Sequence, residues 1–148
     1  MAVDSFAEQA FAAAAGAYSR TSESWEHAVH AAIASLFDFL AERPAETEAC
    51  VDDCAATPTA LAALDDVIAQ FTALLEPGFV ASSAPPPPVV AEAIGGGIYE
   101  VVRCHVLERR LDLLPDAVPD AAFVALAPFL GVRGAVDFAS AEAVRAER

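Results

Sequence analysis

At 148 residues the chain is long enough for one domain whose core needs no disulfide or metal staple, and 56% hydrophobic content excludes a disordered tail. Its eight basic residues, all arginine, stand against 22 acidic ones, for a formal net charge of −14. A nucleic-acid surface needs clustered cations, so this balance argues against direct DNA or RNA binding and instead keeps an apolar-rich chain in solution.

No apolar stretch approaches about 18 residues without a charge or a proline, so the sequence predicts no membrane span. The opening MAVDSFAEQA lacks the basic-then-apolar order of a secretion signal. Cys50, Cys54 and Cys104 form no C-x-x-C pair, and they read as the reduced, buried thiols of a cytoplasmic protein.

Helical spacing of apolar residues runs through almost the whole chain. Asp4 or Ser5 is the expected cap of a first helix reaching about Tyr18, with Phe6 and Phe11 as its large apolar residues. Thr21 and Ser22 are the expected caps of a second, whose stripe reads Trp25, Val29, Ile33, Leu36 and Leu40, and Pro44 ends it. A short acidic third helix covers about 45–55. Thr57-Pro58 then starts a fourth, because proline suits the first helical turn. Its stripe is Leu61, Leu64, Ile68, Phe71 and Leu75, and Pro77-Gly78 weakens or ends it.

The proline run at 81–88 reads as a stiff extended connector, with docking to a proline-reading partner as the alternative. A fifth helix is expected over about 89–110. On a helical wheel Val90, Ile94, Gly97, Ile98, Val101, Val102, His105 and Val106 cover roughly half its circumference, where a surface helix needs a stripe of only about 100°. The extra width predicts contact with the core and with something beyond it. A sixth helix is expected from near Pro119 to Gly131. It carries no charge from Ala121 through Val132, and a helix apolar all round is buried all round, which a second copy would accomplish. Pro128 should distort its last turn, and the tail to Arg148 is amphipathic enough to continue as helix.

Gly95-Gly96-Gly97 has neither the preceding strand nor the following Lys-Ser/Thr of a phosphate loop. Each helical glycine costs about 1 kcal/mol relative to alanine, so close approach of another helix or of a ligand should offset it. Glu26, His27 and His30 have spacing that could hold part of a metal site, and Cys50, Cys54 and His105 a thiolate one. Neither set is complete, and ordinary solvated or buried side chains explain both. No nucleophile elbow or nucleophile-base-carboxylate set is present, so no enzyme activity is expected.

Three segments in order, 25–44 (WEHAVHAAIASLFDFLAERP), 91–110 (AEAIGGGIYEVVRCHVLERR) and 112–131 (DLLPDAVPDAAFVALAPFLG), with a short acidic helix after the first, resemble the C-terminal regulatory domain of the Tet repressor (TetR) family of bacterial regulators. The resemblance covers about 6–138. It implies an all-α bundle of six to seven helices, forming one regulatory domain over 1–148 that dimerises through its last two long helices. The family's basic helix-turn-helix domain is expected to be absent from this chain, so no residue here is assigned to operator contact.

The resemblance further implies a pocket among the second, fourth and fifth helices for a small apolar effector. Its candidate wall is Ile33, Phe37, Leu64, Phe71, Ile98 and Tyr99, with His30 or His105 as polar anchors. The candidate homodimer interface is Ile94, Gly97, Val101, Phe123, Leu126 and Phe129. So negative a chain favours a neutral or cationic ligand over an anion. No cofactor or metal is expected. The competing readings are a stand-alone helical interaction module and a metalloenzyme built on Glu26, His27 and His30.

Overall fold

The computed structural model describes the backbone of residues 2–148 and the side chains from Phe6 onward. Seven α-helices follow in order: α1 Ala2–Arg20, α2 Trp25–Ala41, α3 Pro44–Ala56, α4 Pro58–Ala73, α5 Glu76–Ala81, α6 Val89–Leu107 and α7 Val118–Ala146, with a 3-10 helix at Leu111–Ala117 leading into the last. There is no strand among the described residues, and the all-helical class read from the sequence holds.

The packing is organised around α2, which contacts α1, α3, the 3-10 helix and α7. Its spacing puts Val29, Ile33, Phe37 and Leu40 on one face, and Ile33 and Phe37 have no solvent exposure at all. They meet Leu75, Leu114 and Leu126 in the main core. α1 presents small residues toward its neighbours: Ala7, Ala10 and Ala14 are buried beside Phe6. Short side chains let helix axes approach, and the Ser35 hydroxyl donates to the Ala13 carbonyl across this contact, at 3.1 Å.

Helix ends follow the local chemistry, with several corrections to the sequence reading. α1 begins at Ala2 and so runs through Asp4 and Ser5, whose side chains lie outside the described ones. The cap of α2 is Ser24, whose hydroxyl accepts from the His27 N–H; Thr21 instead donates back to the Ala17 carbonyl at 2.8 Å, closing α1. Pro44 begins α3 as well as following α2. Because proline donates no N–H, carbonyls at the end of α2 need another donor. The buried Thr47 hydroxyl lies 2.9 Å from both the Leu40 and Arg43 carbonyls. Thr57 caps α4 as expected, its side chain accepting from the Ala60 N–H.

Pro77-Gly78 opens the new helix α5 after the end of α4. Trp25 lies over this junction. Its indole N–H donates to the Leu74 carbonyl at 2.9 Å, and its ring packs edge-on against Phe129, which packs edge-on against Phe79. A Cβ added at Gly78 would sit 2.3 Å from the Trp25 ring, so only glycine fits beneath it.

α6 stops at Leu107, short of the expected Arg110. The Arg110 N–H bonds the His105 carbonyl and the Arg109 N–H bonds the Val106 carbonyl, with Arg109 at φ 54°. That is the paired-bond helix ending normally completed by glycine in the left-handed region.

Gly131 breaks α7 with φ 75° and ψ 163°, backbone that is essentially reserved for glycine. The chain then resumes as helix over 132–146. This distal part lies against α2 and the turn before it: Phe138 packs edge-on against His27 and His30, Glu142 reaches His27 at 3.0 Å, and Arg145 forms a two-pronged pair with Glu23. The segment before the break does not bury its whole circumference. Val118, Ala121, Ala122, Ala125 and Leu126 face the core, while Val124 is 46% exposed.

By length and composition alone, two helical runs, Pro58–Ala81 and Leu111–Ala146, are apolar enough to cross a membrane. Neither is one straight helix. The first divides into α4 and α5 at Leu74 and Leu75, and the second contains the 3-10 helix and the Gly131 break. A spanning helix needs about 20 continuous residues, and the 16 of α4 fall short.

Candidate functional site: an apolar cavity

Five helices leave a space between them. α1 contributes Phe6, Ala7, Ala10, Phe11 and Ala14; α2 gives Leu36 and Leu40; α3 gives Thr47, Cys50 and Val51. α4 supplies Leu64, Val67, Ile68 and Phe71, and α6 supplies Gly95, Ile98, Tyr99 and Val102. The cavity measures about 100 Å³ and opens partly to solvent.

Its origin is visible in the residue types. Alanines on α1 occupy positions where longer side chains would fill the space. Gly95 on α6 instead allows α4 and α6 to approach: an added Cβ would lie 2.6 Å from the Ile68 Cγ2. Close helix packing therefore accounts for one of the three consecutive glycines. Gly96 meets nothing within 4 Å, and a Cβ at Gly97 would make only ordinary contact with Val124.

Among the described residues, no charged side chain lines the cavity. The polar groups are few and neutral. Thr47 already serves the α2 carbonyls. Burial, with Cys54 alongside, pushes the Cys50 thiol up to about 12. Burial, reinforced by the neighbouring Cys54 and Cys50, also pushes the Tyr99 hydroxyl up to about 12. A group that far above neutrality holds its proton, so this corner offers neutral donors and no reactive thiolate.

Of the candidate ligand residues, Leu64, Phe71, Ile98 and Tyr99 come together in this wall, while Ile33 and Phe37 lie in the solid core. His30 is half-buried beneath Phe138 and 3.8 Å from Glu142. Burial is the main cause holding its pKa below the ordinary histidine value. His105 turns back on its own helix, its Nδ1 2.8 Å from the Val101 carbonyl.

The sequence reading missed the contribution of α1 and α3. The available signal was the helical spacing of Ala7, Ala10 and Ala14 beside Phe6 and Phe11, which marks a face that packs closely and leaves room.

Among the candidate interface residues, Ile94 and Leu126 are spent on the chain's own core, at 2% and 1% exposure. Phe129 is half-buried between Trp25 and Phe79. Gly97, Val101 and Phe123 are half-buried, next to the exposed Val124.

His27 and His30 converge on Glu142, and His27 also pairs with the Ser24 hydroxyl through Nδ1 at 2.7 Å. Among the described residues, no group of three or more His, Cys, Asp or Glu side chains is arranged to hold a metal ion. A second, wider cleft of about 520 Å³ between α3 and the end of α6 is lined by Glu48, Asp52, Arg109 and Asp112 along with apolar residues. Its mixed charges define no single ligand class.

The chain matches no known protein family, curated protein or solved structure.

Proposed function

We propose that this chain is a non-enzymatic, cytoplasmic sensing domain: it takes a small apolar effector into the cavity and pairs with a second copy through the outer faces of α6 and α7. The observation that carries the reading is a partly enclosed cavity with an uncharged, almost wholly apolar wall. Concave, apolar sites with a few polar groups are the usual form of small-molecule pockets. Pairing is supported by apolar surface at Val124, Val132 and Val136 on α7 and by the small residues Gly96 and Gly97 on α6, which leave room for a close neighbour.

In this reading the chain serves as the regulatory part of a TetR-type transcriptional regulator. That assignment rests on the ordered segments 25–44, 91–110 and 112–131, and the comparisons add nothing to it. Contact with DNA would belong to a helix-turn-helix domain outside this chain, in keeping with a net charge of −14. For a signal to pass, the effector must favour one arrangement of the pair over another.

Native mass spectrometry of the purified chain tests both halves. The expected spectrum is a dimer carrying a small molecule, or one that accepts an added apolar compound. A chain that stays monomeric at micromolar concentration contradicts the pairing. A stable dimer that takes up no apolar compound would favour the plain interaction module.

A further inference from the structure

Where the resumed part of α7 meets the start of α2, the fold assembles a set that the sequence does not show, because its members lie more than a hundred positions apart. The Ser24 Oγ lies 2.7 Å from the His27 Nδ1, and the His27 Nε2 lies 3.0 Å from a Glu142 carboxylate oxygen. An ionised carboxylate can only accept, so Nε2 of the neutral ring carries the proton, and Nδ1 is left to accept the one from Ser24. Hydroxyl, imidazole and carboxylate then form one directed chain of hydrogen bonds. This is the arrangement that activates a serine as a nucleophile.

Helix capping explains only part of it. As the cap of α2, Ser24 has only to accept the His27 N–H, which it does at 3.2 Å. That leaves its own proton uncommitted, and the proton goes to the ring over a shorter distance. The carboxylate is held from two further sides, by Arg145 at 3.4 Å and His30 at 3.8 Å. Glu23 lies 3.8 Å from the same His27 nitrogen and also favours an imidazolium. Ser24 and His27 are half-buried, so a carbonyl compound can reach them from solvent. Among the described residues, the Trp25 and Glu26 N–H groups beside Ser24 bond no acceptor. Free donors of this kind favour negative charge building up on an attacked carbonyl oxygen.

We infer that Ser24 is a covalent modification site that takes an acyl group from an activated ester or thioester. Its Oγ attacks the carbonyl carbon while the His27 Nδ1 takes the hydroxyl proton. The new O–C bond forms, the bond to the leaving alcohol or thiol breaks, and His27 returns the proton to the departing oxygen or sulfur. Glu142 holds the ring and offsets the charge it gains. One such transfer modifies the chain and needs no turnover. It is separate from the apolar cavity, whose wall includes none of these residues.

Reaction of the whole chain with p-nitrophenyl acetate, mapped by peptide mass spectrometry, tests this. Ser83 is the internal reference, since it is exposed and bonds no base among the described residues. General-base assistance is worth about a hundredfold or more, so Ser24 should be acetylated at least about a hundredfold faster than Ser83. His27→Gln should remove that advantage, together with the rise of the rate with pH. Glu142→Gln should lower the rate at least about tenfold. It should also shift the pH profile of what remains toward lower pH, which loss of a merely structural contact would not do. The fluorescence of Trp25, the only tryptophan, reports whether α2 keeps its start in each variant. Acetylation of Ser24 no faster than of Ser83 would overturn the inference without any variant. So would an advantage that survives His27→Gln or is untouched by Glu142→Gln.

Discussion

Two glycine-containing contacts in this molecule show opposite uses of a missing side chain. At Gly78, the vacancy is completely filled: the Trp25 ring occupies it, tied by its N–H to the Leu74 carbonyl and packed by Phe129 and Phe79. At Gly95, the missing Cβ lets α4 approach α6, but the alanines of α1 across the way leave space unfilled. The first region spends small residues on tight packing. The second spends them partly on a cavity. A core built only for stability would resemble the first throughout, since unfilled space forfeits contacts.

The contrast can be broken most severely at the filled end. Gly78→Ala places a carbon 2.3 Å from a rigid aromatic ring, so the ring must move and its hydrogen bond with it. Overpacking of this kind costs about 1–3 kcal/mol, and the loss is expected near the top of that range. Denaturant titration should show it as a lowered midpoint with an unchanged slope.

Trp25→Phe keeps much of the apolar contact but strands the Leu74 carbonyl, with an expected loss of about 1–2 kcal/mol. Combining the two substitutions should cost less than their sum, because both act on one contact.

At the cavity end the same kind of change should be tolerated. Ala10→Leu adds three carbons to a wall residue that faces open space. Its expected effect is within about 1 kcal/mol of zero, against the 1–3 kcal/mol usual for overpacking. A loss as large as that of Gly78→Ala would show that the cavity is not available volume.

The smallest effect is on the distal part of α7. Burial depresses the His30 pKa, so the folded chain binds fewer protons there than the unfolded chain does. Stability from this source is therefore full above the ordinary histidine value of about 6.5 and declines as pH falls below it. Hydrogen-exchange protection over 132–146, taken relative to the intrinsic exchange rate at each pH, should fall between about pH 6.5 and 5, and His30→Gln should flatten that dependence.

Much of the fold was legible because it depends on local rules. The α2 stripe, the Thr57-Pro58 start and the class of the whole chain follow from spacing and capping chemistry. Helix ends were less legible where tertiary contacts decide them. Arg109 adopts a left-handed conformation usually reserved for glycine, and nothing local to it announces that α6 stops two residues earlier. Gly131 was readable as a stop and the amphipathic tail after it as further helix, but not where that helix docks, which Phe138, Glu142 and Arg145 decide against residues more than a hundred positions away.

The cavity was legible by half. Leu64, Phe71, Ile98 and Tyr99 lie on apolar stripes that periodicity identifies. Phe6, Phe11 and the alanines between them belong to a helix whose role depends on which neighbours it meets. Periodicity also cannot separate a wall from a core. Ile33 and Phe37 share the α2 stripe with Leu36 and Leu40, yet only the latter two reach the cavity.

The most direct test of the cavity as a binding site is thermal unfolding with and without saturating toluene, for wild type and Ala10→Leu. A ligand that binds only the folded state raises the midpoint in proportion to its occupancy. The account predicts a clear rise for wild type and its loss in Ala10→Leu, whose own midpoint without toluene stays close to that of wild type. No rise in wild type, or an equal rise in both, would contradict it.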